Sequence, residues 1–208
     1  MTSPVTHPLT VELGKASKET ARKVLGLLDL LEQGLIHRDD LPYLAASLTE
    51  LGANQSAALV LRELAENTAR ATGTIPVIPE VSKQALDPAK VAQAVTTVLS
   101  GPEDGIPVRL ERLVRGAVSE AAQKTRGRAI RDTGIFRGWT RGIDSGSCEL
   151  CVWWWREGRV WPKDHVMPTH AGCDCVQVPA FSTKRLSVSR EARAASAERR
   201  LAMEQADE

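Results

Sequence analysis

The chain has 208 residues, 42% of them apolar and 25% charged. That is ordinary globular composition, enough for one generous domain or two small ones. With 27 basic against 26 acidic side chains the net charge is +1, which excludes a supercharged nucleic-acid-binding tail. No run of eighteen apolar residues is present, so no membrane-spanning helix and no membrane partner is expected. The first twenty residues lack the basic start and apolar core of a signal peptide, so the thiols are expected to stay reduced.

Charge is unevenly placed. Residues 1–108 carry 9 basic and 13 acidic groups, whereas 109–141 carry 9 and 3. The near-neutral total therefore hides a short basic segment.

In chain order, residues 1–14 read as a disordered, Pro/Thr-rich arm and 15–101 as a helical domain. The first helix is expected over 17–33, with Val24, Leu27, Leu28 and Leu31 on one stripe. A second opens near Asp39 or Asp40 and stops at Gly52, and a third runs from Asn54 to Gly73. Residues 73–86 read as a linker or extended arm. Asp87-Pro88 then caps a helix whose stripe is Val91, Val95, Val98 and Leu99. Residues 105–141 hold the longest helix, about 108–131, and a connection. Its last turns exchange apolar residues for Lys124, Arg126, Arg128 and Arg131. Cations at a helix C-terminus are favoured by the helix field. With Arg137 and Arg141 these arginines are also candidates for contact with nucleic acid or another partner. Residues 182–208 form an Ala/Arg/Glu-rich helix or tail with little to bury.

The chemistry is concentrated in 142–181. Cys148 and Cys151 form a C-x-x-C pair, and Cys173 and Cys175 follow after twenty-one intervening residues, with His170 three positions before Cys173. All four cysteines of the chain lie within twenty-eight residues. Zinc takes four ligands at tetrahedral corners, a C-x-x-C turn supplies two thiolates, and a distant pair closes the site. Three ligand sets stay open: four cysteines; Cys148, Cys151 and His170 with one of Cys173 or Cys175; or disulfides instead of metal. The C-x-C side chains are expected to diverge if the backbone is extended. Five soft candidates leave no free coordination position, which favours structural Zn²⁺ over a catalytic ion.

Val152, the Trp153–Trp155 run, Val160 and Trp161 alternate about Gly158 like two short strands. Three consecutive tryptophans cannot all face inward from one strand, so with Trp139 they are candidate partner contacts. No phosphate-binding loop, nucleophile elbow or H-E-x-x-H is present, and no enzyme is expected. The fold class that follows is mainly α: a helical N-terminal part, a long central helix and a small zinc-stapled α+β module.

The segment GRAIRDTGIFRGWTRGIDSGSCELCVWWWREGRVW, with HAGCDCVQVP further on, resembles the C-terminal half of a family of actinobacteriophage minor head proteins. These are related to the Mu-F-like head morphogenesis proteins of tailed phages. The likeness is specific over residues 105–180 and loose elsewhere, and the triple tryptophan departs from the family pattern. It implies a minor capsid protein of the virion or procapsid head interior, assembled in the host cytoplasm and present in several copies. The implied partners are the portal protein, the major capsid protein and packaged DNA. The alternatives are a nucleic-acid-binding zinc protein and a component of a capsid maturation protease.

Overall fold

The computed structural model describes residues 7–74, 86–144 and 146–181. The expectations for an arm over 1–6, a linker over 75–85 and a tail over 182–208 lie outside them. The described fold is mainly helical with a small three-stranded sheet. Helices α1 (Pro8–Glu32), α2 (Leu41–Thr72), α3 (Pro88–Leu99) and α4 (Ile106–Asp132) come first. Strand β1 (Phe136–Gly142), the short helix α5 (Glu149–Trp155), β2 (Trp161–Pro162) and β3 (Val176–Phe181) follow. None of the described helices is long and apolar enough to cross a membrane.

The helices start where the sequence offers a cap or a proline. Asp87 accepts hydrogen bonds from the N–H groups of Ala89 (3.1 Å) and Lys90 (3.5 Å) at the head of α3, and each of the four long helices has a proline in its first turn. α1 begins at Pro8 rather than near residue 17. Leu9 and Leu13, expected in a disordered arm, are buried with Val60, Ala122 and Val176. Apolar burial outweighs the Pro/Thr-rich composition there.

The expected break at Gly52 does not occur, and α2 is one continuous helix to Thr72. Gly52 marks a crossing instead. A Cβ at this position would stand 2.2 Å from Thr20 Oγ1 of α1, so the missing side chain lets the two helices touch. The helix ends at Gly73, whose φ of +72° supplies the left-handed cap.

α4 is the shared wall of the molecule. Its N-terminal half (Leu110, Val114) joins Val24, Leu27, Leu41, Val91 and Val95 in the helical core. Its C-terminal half (Ala129, Ile130) packs with Leu64 of α2 and with Phe136, Trp139 and Met167. The sheet order is β2-β1-β3 with both pairings antiparallel; Trp139 faces Trp161 on one side and Pro179 on the other. β1 and β3 were not anticipated from the sequence, although FRGWTRG and VQVPAF are short and rich in aromatic or β-branched residues.

One polar contact ties these layers together. Arg126 of α4 is 0% exposed; Nη1 donates to Val60 O of α2 (2.8 Å) and Nε donates to Gln177 O of β3. Nη1 also stands 2.6 Å from Glu63 Oε2, as an ion pair rather than in hydrogen-bond alignment. Burial holds the guanidinium below its usual pKa, and the Glu63 carboxylate opposes that shift.

Candidate metal centre

Two short turns carry the five sulfur and nitrogen donors. The first is an Asp144–Ser147 turn, in which Gly146 N–H donates to Asp144 Oδ1 (2.9 Å) and Ser147 Oγ donates to the same oxygen (3.0 Å). It delivers Cys148 to the N-terminal boundary of α5, where Val152 N–H donates to Cys148 O (3.0 Å). Cys151 lies three residues on, so helical spacing puts both sulfurs on one face. The second turn closes with Cys173 N–H donating to His170 O (3.1 Å) over Gly172, whose φ is +76°.

The expected strands at Val152–Trp155 and Val160–Trp161 are thereby corrected. The tryptophan run lies on helix α5, which ends in left-handed residues at Arg156 (φ 49°) and Glu157 (φ 54°). Within this region only Trp161–Pro162 pairs as a strand. The C-x-x-C geometry overrides the strand preference of Val and Trp. On a helix the three indoles splay apart: Trp153 is 57% exposed with Arg156 over its ring at 4.2 Å. Trp154 stands 6.3 Å from the His170 ring, and Trp155 packs partly buried against the cysteine cluster.

The donors converge. His170 Nε2 is 3.3 Å from Cys148 Sγ and 3.1 Å from Cys151 Sγ, and Cys151 Sγ is 3.6 Å from Cys173 Sγ. Cys148, Cys151 and His170 form one potential metal-binding group and Cys151, Cys173 and Cys175 another, sharing Cys151. All four thiols are free, and a 3.6 Å separation is far outside the disulfide length of about 2.05 Å, so the disulfide alternative is set aside. Zn–S near 2.3 Å and Zn–N near 2.05 Å in a tetrahedron give edges of about 3.8 Å between sulfurs and about 3.5 Å from sulfur to nitrogen. The three measured separations lie within about half an ångström of those edges. The cluster can therefore bind a metal ion.

The C-x-C expectation is also corrected. Residues two apart on extended chain share a face, and both Cys173 and Cys175 group with Cys151. Asp174 between them turns to α4 instead, accepting from Ser119 Oγ (2.5 Å) with Arg115 Nη2 at 3.6 Å. Gln123 Nε2 of α4 donates to Cys173 O (2.6 Å) and Cys175 O (2.9 Å), fixing this segment against the helix.

The electrostatics divide the sulfurs, lowering Cys148 and Cys173 and raising Cys151 and Cys175. Hydrogen bonds from the Cys151 and Cys175 thiols push Cys173 down to about 2, with Arg141 adding in the same direction. The Cys151 backbone N–H leads the lowering of Cys148. Cys151 is pushed up by its bonds to Cys173 and Cys175 and then by burial; at Cys175 the bond to Cys151 acts downward, but the bond to Cys173 and burial outweigh it and raise the thiol to about 11. At His170 burial acts downward, but the Ala171 carbonyl and the Cys173 and Cys148 sulfurs outweigh it, so its pKa is raised.

Arg141 is 2% exposed, with Nη1 3.8 Å from Cys151 Sγ and 3.9 Å from Cys173 Sγ. Nη2 donates to Pro168 O, and the guanidinium lies 5.1 Å from the centroid of Trp154. It is a fixed positive charge behind the thiolates. This role, and those of Gln123 and Ser119, went unseen from sequence; the one signal was a basic residue seven positions before the first C-x-x-C.

The other expected contact residues divide in two. Arg126, Arg141 and Trp139 are buried and bonded within the fold: the first two hold backbone carbonyls, and Trp139 Nε1 donates to His165 O (3.0 Å). Arg128, Arg131, Arg137 and Trp153 are exposed, whereas Trp154 and Trp155 are half-buried. Comparisons with protein-family models, curated proteins and solved structures find no match.

Proposed function

We propose that this chain is a non-enzymatic, zinc-stapled structural protein that serves as a minor component of a tailed-phage head. The observation that carries the zinc reading is the grouping of Cys148, Cys151 and His170 with Cys151, Cys173 and Cys175 through their shared Cys151, three of the donor pairs standing near tetrahedral edge lengths. Thiolate and imidazole donors of this softness select zinc over magnesium or calcium. Five protein donors compete for four coordination positions, and a catalytic zinc needs one open to water, so the ion's work is to fix two loops. The phage assignment is supported by the likeness of residues 105–180 to minor head proteins, including the Cys/His spacing. In that role the chain meets the portal or the capsid shell from inside the head, in several copies.

Elemental analysis of the purified protein tests the first part: one zinc per chain is expected, lost in Cys148→Ser. A protein that retains its fold and all four titratable thiols after chelation refutes it. Mass spectrometry of purified heads before and after DNA release tests the second, and absence of the chain from both heads and their precursors refutes it.

A further inference from the structure

Beside the metal cluster, a cleft of about 380 Å³ runs between the C-terminal half of α4 and the loop 163–169. Its helical wall includes Glu120, Lys124, Arg128 and Arg131, spaced so that one face of α4 presents them together. The opposite wall carries Lys163 and Asp164. Lys124 Nζ is tied to Glu120 (2.6 Å) and Arg131 Nε to Asp132 (3.3 Å), while Arg128 and Lys163 have no ion-pair partner among the described residues. The four cations meet three carboxylates, Glu120, Asp164 and the Asp132 that pairs with Arg131, and the remaining surplus rests on Arg128 and Lys163.

The loop wall is held in place. Trp139 Nε1 donates to His165 O, His165 N–H donates to Pro162 O (3.0 Å), Arg141 binds Pro168 O, and Met167 is buried in the core. The cations therefore stand on two firmly placed walls rather than on a flexible tail. The rings nearby are already engaged: His165 stacks on Trp161 at 4.5 Å, and Arg159 lies 4.4 Å from the Trp161 centroid. Reading of single strands depends on free aromatic faces on which bases stack. Repeated phosphates at fixed spacing need only cations along a groove.

We infer that this cleft binds the phosphate backbone of double-stranded nucleic acid, with Lys124, Arg128, Arg131 and Lys163 as its contacts and without base recognition. The inference goes beyond the structural role proposed above and does not depend on the identity of the metal. Of the arginines suggested by sequence, the fold keeps Arg128 and Arg131 for this surface, withdraws Arg126 and Arg141, and adds Lys124 and Lys163.

The test is fluorescence anisotropy with a labelled 24-base-pair duplex of arbitrary sequence, using metal-replete full-length protein. Four phosphate contacts predict a salt slope near −3.6, a loss of about 150-fold in affinity between 50 and 200 mM salt. Arg128→Ala/Lys163→Ala should reduce that loss to about 12-fold. Arg62→Ala/Arg70→Ala, which removes equal charge from the exposed face of α2, should leave the slope unchanged. Metal content and thermal midpoint, read on the same samples, separate a misfolded variant or a failed zinc reading from a failed cleft. No duplex binding at 50 mM salt, or equal slopes in the two double variants, overturns the inference. So does equally tight binding of polyglutamate, which would make an acidic polypeptide the occupant.

Discussion

Replacing Arg126 by methionine separates two views of the basic helix, because a phosphate-binding arginine and a buried brace respond differently. In the structure the substitution deletes the donors to Val60 O and Gln177 O and strips Glu63 of the cation 2.6 Å away. Glu63 retains Asn67 Nδ2 on Oε1 and a distant His7 at 3.9 Å, and its side chain keeps 19% exposure. Breaking one partner of a buried pair costs about 3–5 kcal/mol. The partial access of water to Glu63 places the expected loss at the lower end, about 3 kcal/mol. Urea unfolding followed by tryptophan fluorescence would read this as a lower midpoint with an unchanged slope.

The companion variant Glu63→Gln supplies the control. With the carboxylate neutralised first, Arg126→Met should cost less, and a coupling between the two of about 1–3 kcal/mol is expected from a cycle on contacting residues. A loss below about 1 kcal/mol for Arg126→Met, or strict additivity with Glu63→Gln, would refute the brace. Loss of duplex affinity in a variant that remains fully folded would return Arg126 to the binding surface.

Arg141→Met removes the charge behind Cys151 and Cys173 and frees Pro168 O; zinc affinity, read by competition with a chromophoric chelator, should fall about 10- to 100-fold, and unchanged affinity contradicts the role. Gly52→Ala drives a methyl group into Thr20 and should cost about 1–3 kcal/mol despite its better helix propensity; the thermal midpoint should recover in part when Thr20→Ala is added, and no recovery would place the strain elsewhere. Burial first, and Arg126 second, lower the pKa of His7 against the opposing pull of Glu63. The unfolded chain then takes up a proton near pH 6.5 before the folded one does, so stability falls as pH drops below that value until folded His7 also protonates. His7→Gln should flatten this part of the stability–pH curve, and an unaltered slope would count against it.

The helices were legible because their apolar stripes and Asp-Pro or Gly ends are local signals; α3 follows from Asp87, Pro88 and the valine spacing alone. Apart from the tryptophan run and the C-x-C pair, where local geometry was misjudged, the errors share a cause, which is contact between residues distant in sequence. Gly52 reads as a stop until Thr20 is seen against it, and Leu9 and Leu13 read as part of a tail until Val176 covers them. β1 has no pattern strong enough to declare itself; it is held by β3, forty residues later. The donor set was legible because metal ligation uses few residue types at short spacings, but the choice among five donors was not. Arg141 was mistaken for a surface contact because a charged residue in sequence gives no sign of which partners will compensate it.

The architecture also limits what the metal can be responsible for. A segment of about forty residues with four cysteines suggests that the ion makes the whole of 142–181 fold. Yet β1 and β3 are anchored by apolar contacts that include no ligand: Phe136 and Trp139 lie on Leu64 and Ile130, and Val176 lies on Leu9, Leu13 and Val60. What depends most on the donors is the chain over 146–160 and 169–173, where Cys151 and Cys173 are the buried residues. Chelation should therefore raise amide hydrogen exchange over 146–160 and 169–173 while Trp139, Thr140 and Val178 keep their protection. Collapse of protection in β1 together with the loops would mean that the ion, rather than the apolar face of α4, is what keeps the sheet on the helices.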